Sequence, residues 1–127
     1  MRENHTDNLD VFDVEAALDR VDRDEPFLCE LATLFLQECP NWLNEIETGL
    51  VQQESLAVSQ AAHSLKGAAS NFAADTTVAS AQHLESTARA GNLAEASLTF
   101  RVLRSEVERL RQGLIRLVTP TAEHLVG

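Results

Sequence analysis

His63, Lys66, Gly67 and Ser70 sit within the stretch Ala61 to Phe72, which is rich in Ala and free of Pro. It reads as helix, and at about 100° per residue these four fall on one stripe. Leu65 and Phe72 lie on the opposite side and claim the core, so the imidazole of His63 faces solvent. An exposed neutral imidazole is a good nucleophile near neutral pH. Lys66, the only lysine in the chain, offers a cation one turn away for a negative group arriving on the ring. Gly67 costs a helix interior about 1 kcal/mol relative to Ala. Its bare backbone leaves clearance for a second molecule. Nucleophile, cation and clearance together suit phosphoryl transfer.

Competing chemistries lack their parts. A hydrolytic triad needs a Ser or Cys nucleophile, an orienting acid and an oxyanion hole, and no such motif is visible. His5, His63, His83 and His124 are scattered, and no His-x-x-x-His or Cys-x-x-Cys pair occurs, so no metal site is expected. There is no Gly-rich phosphate loop, so the chain is not expected to use ATP itself.

The elements that hold this face follow from composition and periodicity. At 127 residues the chain suits one domain with a single core. Aromatic residues make up 5% and Tyr is absent, so Leu, Val and Ala must build most of that core. Three Pro, five Gly and long Ala/Leu/Glu/Arg segments indicate an all-α fold. The formal net charge of -10 argues against nucleic acid or an anionic membrane as partner. The charge is uneven. Residues 1–54 carry 14 acidic and 3 basic side chains, a net -11, whereas residues 55–127 carry 6 acidic and 7 basic, a net +1. The upstream acidity reads as a solvated face. Cys29 and Cys39 share a helical region and stand about 15 Å apart, too far for a disulfide. Reduced thiols, a polar N-terminus and no membrane-length apolar run lead to the expectation of a cytoplasmic protein.

Asp13 is placed to cap a short first helix bearing Val14, Ala17, Leu18 and Val21 on its apolar side. Asp24 caps the second, with Pro26 in its first turn. Pro40 is expected to kink or split it, and Gly49 to Glu54 marks the next connection. Within it, Leu34 or Phe35 takes the inward position. Ser55 is the expected cap of the third helix, whose core stripe is Val58, Ala61, Leu65, Ala68 or Ala69, and Phe72. Asp75 is the expected cap of the fourth, with Val78, Ala81, Leu84 and Ala88 inward. Gly91-Asn92 is a stop followed by a cap. The fifth helix, Leu93 to Val118, repeats apolar residues at steps of three and four from Phe100 to Leu117. Short links between long amphipathic helices favour antiparallel neighbours. The expected architecture is an antiparallel up-and-down four-helix bundle with a short additional N-terminal helix. Residues 1–12 form a flexible lead-in, 13–118 the bundle and 119–127 a tail.

The segment Ala62-His63-Ser64-Leu65-Lys66-Gly67 resembles the signature of histidine-containing phosphotransfer (HPt) domains. Asp24-Glu25 through Phe35-Leu36 and Pro40 resembles the family's second helix, and Leu84-Glu85 with Ala88-Arg89 a further segment. The likeness spans residues 13 to 117. It implies that His63 accepts a phosphoryl group from a receiver-domain aspartate and passes it to another receiver. Chemotaxis-type kinases use a similar domain as substrate of their own ATP-binding domain. By the same match Lys66 balances the phosphoryl charge and Gly67 leaves room for the receiver. Glu85 stands where the family often has Gln or Glu beside the histidine. There it either orients the ring or is a surface carboxylate paired with Arg89 in the same helix. Arg89 is a candidate phosphoryl contact. Gln60 and Ser70 either line the docking surface or merely face solvent. The resemblance implies no cofactor in this chain, the Mg²⁺ belonging to the partner. Receiver domains of response regulators are the implied partners, a hybrid sensor histidine kinase is a further one, and the chain is expected to act as a monomer. The family often has Gly where this chain has Ala73, which is expected to alter local packing or helix length and not the chemistry. A second reading is a non-catalytic adaptor that binds a receiver or kinase. A third, an enzyme with His63 as general base, lacks a second catalytic group.

Overall fold

The computed structural model describes residues 12–119. The readings for residues 1–11 and 120–127 lie outside them. The described residues form five helices and no strand: α1 (Val14–Arg20), α2 (Glu25–Val51), α3 (Ser55–Ser70), α4 (Asp75–Arg89) and α5 (Leu93–Val118). The four long helices are connected by short links and alternate in direction. Contacts run from α2 to α3, α3 to α4, α4 to α5 and back from α5 to α2, closing an antiparallel up-and-down bundle. The short α1 packs on α2 and is tied to the C-terminal end of α3, where Arg20 Nη1 donates to the Ser70 carbonyl at 2.6 Å.

Each helix turns one apolar stripe inward. Leu28, Ala32, Phe35, Cys39 and Ile46 of α2 meet Val58, Ala61, Leu65 and Ala69 of α3, Ala81, Leu84 and Ala88 of α4, and Leu103, Val107, Leu110 and Leu114 of α5 in one core. Of the alternatives left open by the sequence, Phe35 and Ala69 are buried, whereas Leu34 is exposed and Ala68 only partly covered. Phe35 and Phe72 pack edge to face at 5.7 Å, and Phe12 meets Phe72 in the same way at 6.3 Å. Phe12, assigned from sequence to the lead-in, is thus part of the core.

Pro40 does not split α2, which runs unbroken from Glu25 to Val51. A proline inside a helix costs about 3 kcal/mol because it cannot donate to the carbonyl four residues back. Fully burying one Leu, Ile or Phe side chain stabilises by about 1.5–3 kcal/mol. With Leu28, Phe35 and Ile46 all on the face that α2 turns to the core, packing outweighs the lost bond. Gly49, expected in the connection, lies buried inside α2, and the link is Gln52 to Glu54.

Two expected caps are displaced by one residue. Glu54 and Ala74, without side-chain cap bonds, precede α3 and α4, so Ser55 and Asp75 are the first helical residues. Asp75 there still sets a negative charge against the helix's positive end. Asp13, Asp24 and Asn92 cap as expected, accepting from Ala16 N, Phe27 N and Glu95 N. Every link contains a left-handed residue: Asp22 and Arg23, Gln53, Ala73 and Gly91. Only Gly91, at φ 81°, is the residue type that turn favours.

Candidate functional site

The α3–α4 seam brings the site together. In an antiparallel pair, stepping forward along one helix means stepping back along the other. His63 therefore stands level with Glu85, and Lys66 with Gln82. His63 keeps 66% of its side chain exposed, while Glu85 keeps 4%. The imidazole Nδ1 lies 3.0 Å from Glu85 Oε2. Lys66 Nζ donates to Glu85 Oε1 at 2.8 Å and Arg89 Nη2 to Oε2 at 2.7 Å.

One buried carboxylate thus collects three nitrogen groups. The hydrogen bond from Lys66 is the largest influence holding the Glu85 carboxyl below its ordinary value of 4.5. Burial opposes it, and the Arg89 hydrogen bond and the charges of Lys66 and His63 reinforce it. An ionised carboxylate can only accept, so the proton on the His63 ring sits at Nδ1. Nε2 then carries the lone pair. The geometry therefore prepares a nucleophilic nitrogen on an exposed ring.

Glu85 is buried, so it is not a surface carboxylate, yet it makes both contacts considered from the sequence. It bonds the ring and it pairs with Arg89 four residues on. Gly67 is exposed on the same face, and a methyl built on it meets nothing within 4 Å. Nothing within the described fold requires a glycine there. Ser70 turns back into its own helix end, donating through Oγ to the Gly67 carbonyl at 2.6 Å. Gln60 and Arg89 line an open groove of about 440 Å³ beside the ring, with Leu56, Ser59, Ser64, His63 and Glu85. Leu56 is 69% exposed at its edge.

The sequence reading missed Gln82, which accepts from Lys66 Nζ at 2.7 Å. The signal was there: once Glu85 is placed opposite His63, three residues forward on α3 and three back on α4 pair Lys66 with Gln82. Also missed was the cause of the departure at position 73. Ala73 follows the end of α3 at φ 54°, a left-handed conformation in which glycine is the unstrained residue. No group of three or more His, Cys, Asp or Glu side chains among the described residues is placed to hold a metal ion. Among the same residues no helix is long and apolar enough to cross a membrane.

Comparison with known proteins places the fold and the family. The family model described as Hpt domain matches residues 30–113, which include His63, Lys66, Gly67 and Glu85. No curated protein matches the chain. The fold is similar to the HPT domain of an Hpt sensor hybrid histidine kinase from Shewanella, with TM-score 0.81 and 17% identity, covering 91% of this chain and 99% of that one. It is also similar to histidine-containing phosphotransfer protein B from Pseudomonas aeruginosa, with TM-score 0.76 and 23% identity, covering 83% and 91%. With a family match across most of its bundle and the same fold in two phosphotransfer structures, the chain belongs to the Hpt domain family.

Proposed function

We propose that His63 is the residue on which this chain carries a phosphoryl group. Its family gives it a histidine-phosphotransfer role in the phosphorelays of two-component signalling. The observation that carries the assignment to His63 is the Nδ1 to Glu85 hydrogen bond on an otherwise exposed ring. In the proposed reaction the Nε2 lone pair attacks the phosphorus of a receiver's aspartyl phosphate. The P–N bond forms as the bond from phosphorus to the aspartate oxygen breaks, and the carboxylate leaves with that electron pair. The ring becomes a phosphoimidazolium that keeps its Nδ1 proton, facing the Glu85 carboxylate. For onward transfer a second receiver's aspartate attacks the same phosphorus, and the P–N bond breaks.

Lys66 is the proposed charge partner of the phosphoryl group, and Gly67 the point where a receiver approaches closely. Gln60, Arg89 and the exposed Leu56 line the groove against which that partner would rest. Ser70 belongs to the helix end in this reading and not to the chemistry. The Mg²⁺ that assists aspartyl-phosphate chemistry is assigned to the receiver. The chain acts as a phosphocarrier without kinase activity of its own, as a monomer in the cytoplasm, with a hybrid sensor kinase as one source of its phosphoryl group.

The test is to expose the chain to a phosphorylated receiver and follow label. Wild type is expected to take an acid-labile label, and His63→Gln none. Label retained in the His63→Gln variant would move the acceptor elsewhere.

A further inference from the structure

Gln82 lies on α4 one turn before Glu85, on the exposed side of the seam. Lys66 Nζ donates to its Oε1 at 2.7 Å, and its Nε2 donates to Ser86 Oγ at 3.1 Å. The two bonds fix each other's sense. An ammonium has no lone pair and must meet the amide oxygen. The amide NH₂ then points away, to a hydroxyl that can accept. Lys66 is held by two oxygens of α4, from Gln82 and Glu85, and its side chain is 23% exposed. Most lysines on a helix surface sample many rotamers in water. This one is ordered beside His63, since both bond the same carboxylate.

We propose that Gln82, oriented by Ser86, is a positioning residue that fixes the Lys66 ammonium beside His63 for phosphoryl transfer. The inference rests on reading Lys66 as the charge partner of the phosphoryl group. The residue type matters. A carboxylate at position 82 would hold the ammonium equally well but would neutralise it. A neutral amide holds the cation and leaves its charge for the incoming group. Glu85 already takes part of that charge, so a second anion would leave Lys66 little to offer.

The experiment uses the full chain and phosphoramidate, a small donor that needs no receiver. His63 Nε2 attacks its phosphorus, the bond to the donor's protonated nitrogen breaks, and ammonia leaves with the electron pair. Phosphohistidine is followed by phosphorus NMR in wild type, Gln82→Met, Gln82→Glu, Ser86→Ala, Lys66→Ala and Gln82→Met combined with Lys66→Ala. Thermal midpoints are read for each, and little change is expected for the Gln82 and Ser86 variants because both residues are exposed. Gln82→Met is expected to slow phosphorylation about three- to tenfold, the scale of one ordinary hydrogen bond at an exposed site. Gln82→Glu is expected to slow it at least as much, and Ser86→Ala less. The deciding readout is the double variant: with Lys66 already Ala, Gln82→Met should cost nothing more. An equal loss in both backgrounds overturns the proposal, because Gln82 would then act without Lys66. If Lys66→Ala slows the reaction but Gln82→Met does not, positioning by Gln82 is wrong and the role of Lys66 stands. If Lys66→Ala itself has no effect, the reading of Lys66 fails and the proposal falls with it.

Discussion

His63 Nδ1 and Glu85 Oε2 stand 3.0 Å apart, joining an exposed ring to a carboxylate that is almost wholly covered. The bond crosses from α3 to α4, so the ring's orientation is set by the packing of two helices and not by its own helix alone. That relationship has consequences for rate, for pH and for the residues around it.

Replacing the carboxylate by an amide tests its charge. Glu85→Gln keeps an oxygen that can accept from Nδ1 but cannot match a carboxylate facing the phosphoimidazolium. Hydrogen bonds to charged groups contribute about 1.5–3 kcal/mol. Phosphorylation of His63 is therefore expected to slow by about 10- to 100-fold. If the amide oxygen meets the Lys66 ammonium, its NH₂ faces Nδ1, so nitrogen NMR of the ring should also show a loss of the single Nδ1–H tautomer. An unchanged rate with an unchanged tautomer would reduce Glu85 to a structural ion pair.

The same carboxylate makes stability depend on pH. Its folded-state pKa is depressed, first by Lys66 and then by Arg89 and the neighbouring charges, against the pull of burial. Such a group binds its proton more readily when the chain is unfolded. Its stabilising contribution is full above the ordinary carboxylate value of 4.5 and is lost as pH falls through the lower folded value. Denaturant midpoints of wild type and Glu85→Gln should thus differ at neutral pH and converge in acid. A gap that stays constant down to strongly acidic pH would contradict the assignment.

Gly67 separates fold from function. A methyl there enters open space, so Gly67→Ala is expected to stabilise the domain by about 0.5–1 kcal/mol through helix propensity. Phosphoramidate needs no clearance and should react with the variant at the wild-type rate. A receiver must approach closely, and its transfer to the variant should be slower. Equal transfer from both donors would remove the steric role assigned to this glycine.

Much of this is legible in the sequence, for a physical reason. Burial follows a helical period, so the inward residues of α3, α4 and α5 could be read directly. His63 stood out because it lies off the core stripe. What periodicity cannot show is where strain is accepted. Pro40 was expected to kink or split α2, and the buried face running from Leu28 to Ile46 carries the helix through it without a split. Ala73 reads as a good helix former but sits in a left-handed turn, a conformation chosen by the link and not by the residue. Gln82 is harder to read for a different reason: its role exists only across the seam, and it follows only after Glu85 opposite His63 sets the register of α3 against α4.

Gly49 shows the opposite use of the residue that Gly67 leaves open. Both are helical, but a methyl on Gly49 would stand 2.7 Å from Val58 Cγ2, where α2 meets the start of α3. Real side chains do not approach so closely, and Val58 is fully buried with little room to give. Overpacking of this kind costs about 1–3 kcal/mol. The better helix propensity of Ala returns about 1 kcal/mol, so Gly49→Ala is expected to destabilise by up to about 2 kcal/mol. Val58→Ala alone should also destabilise, by opening a cavity. Combined, the two changes should cost less than their sum, because the new methyl fills part of the space the valine vacates. Strict additivity in denaturant melts would show that the clash is relieved elsewhere, by a shift of α3 against α2. Such a shift would move His63 relative to the seam, and the phosphoramidate rate of Gly49→Ala would then fall together with its stability.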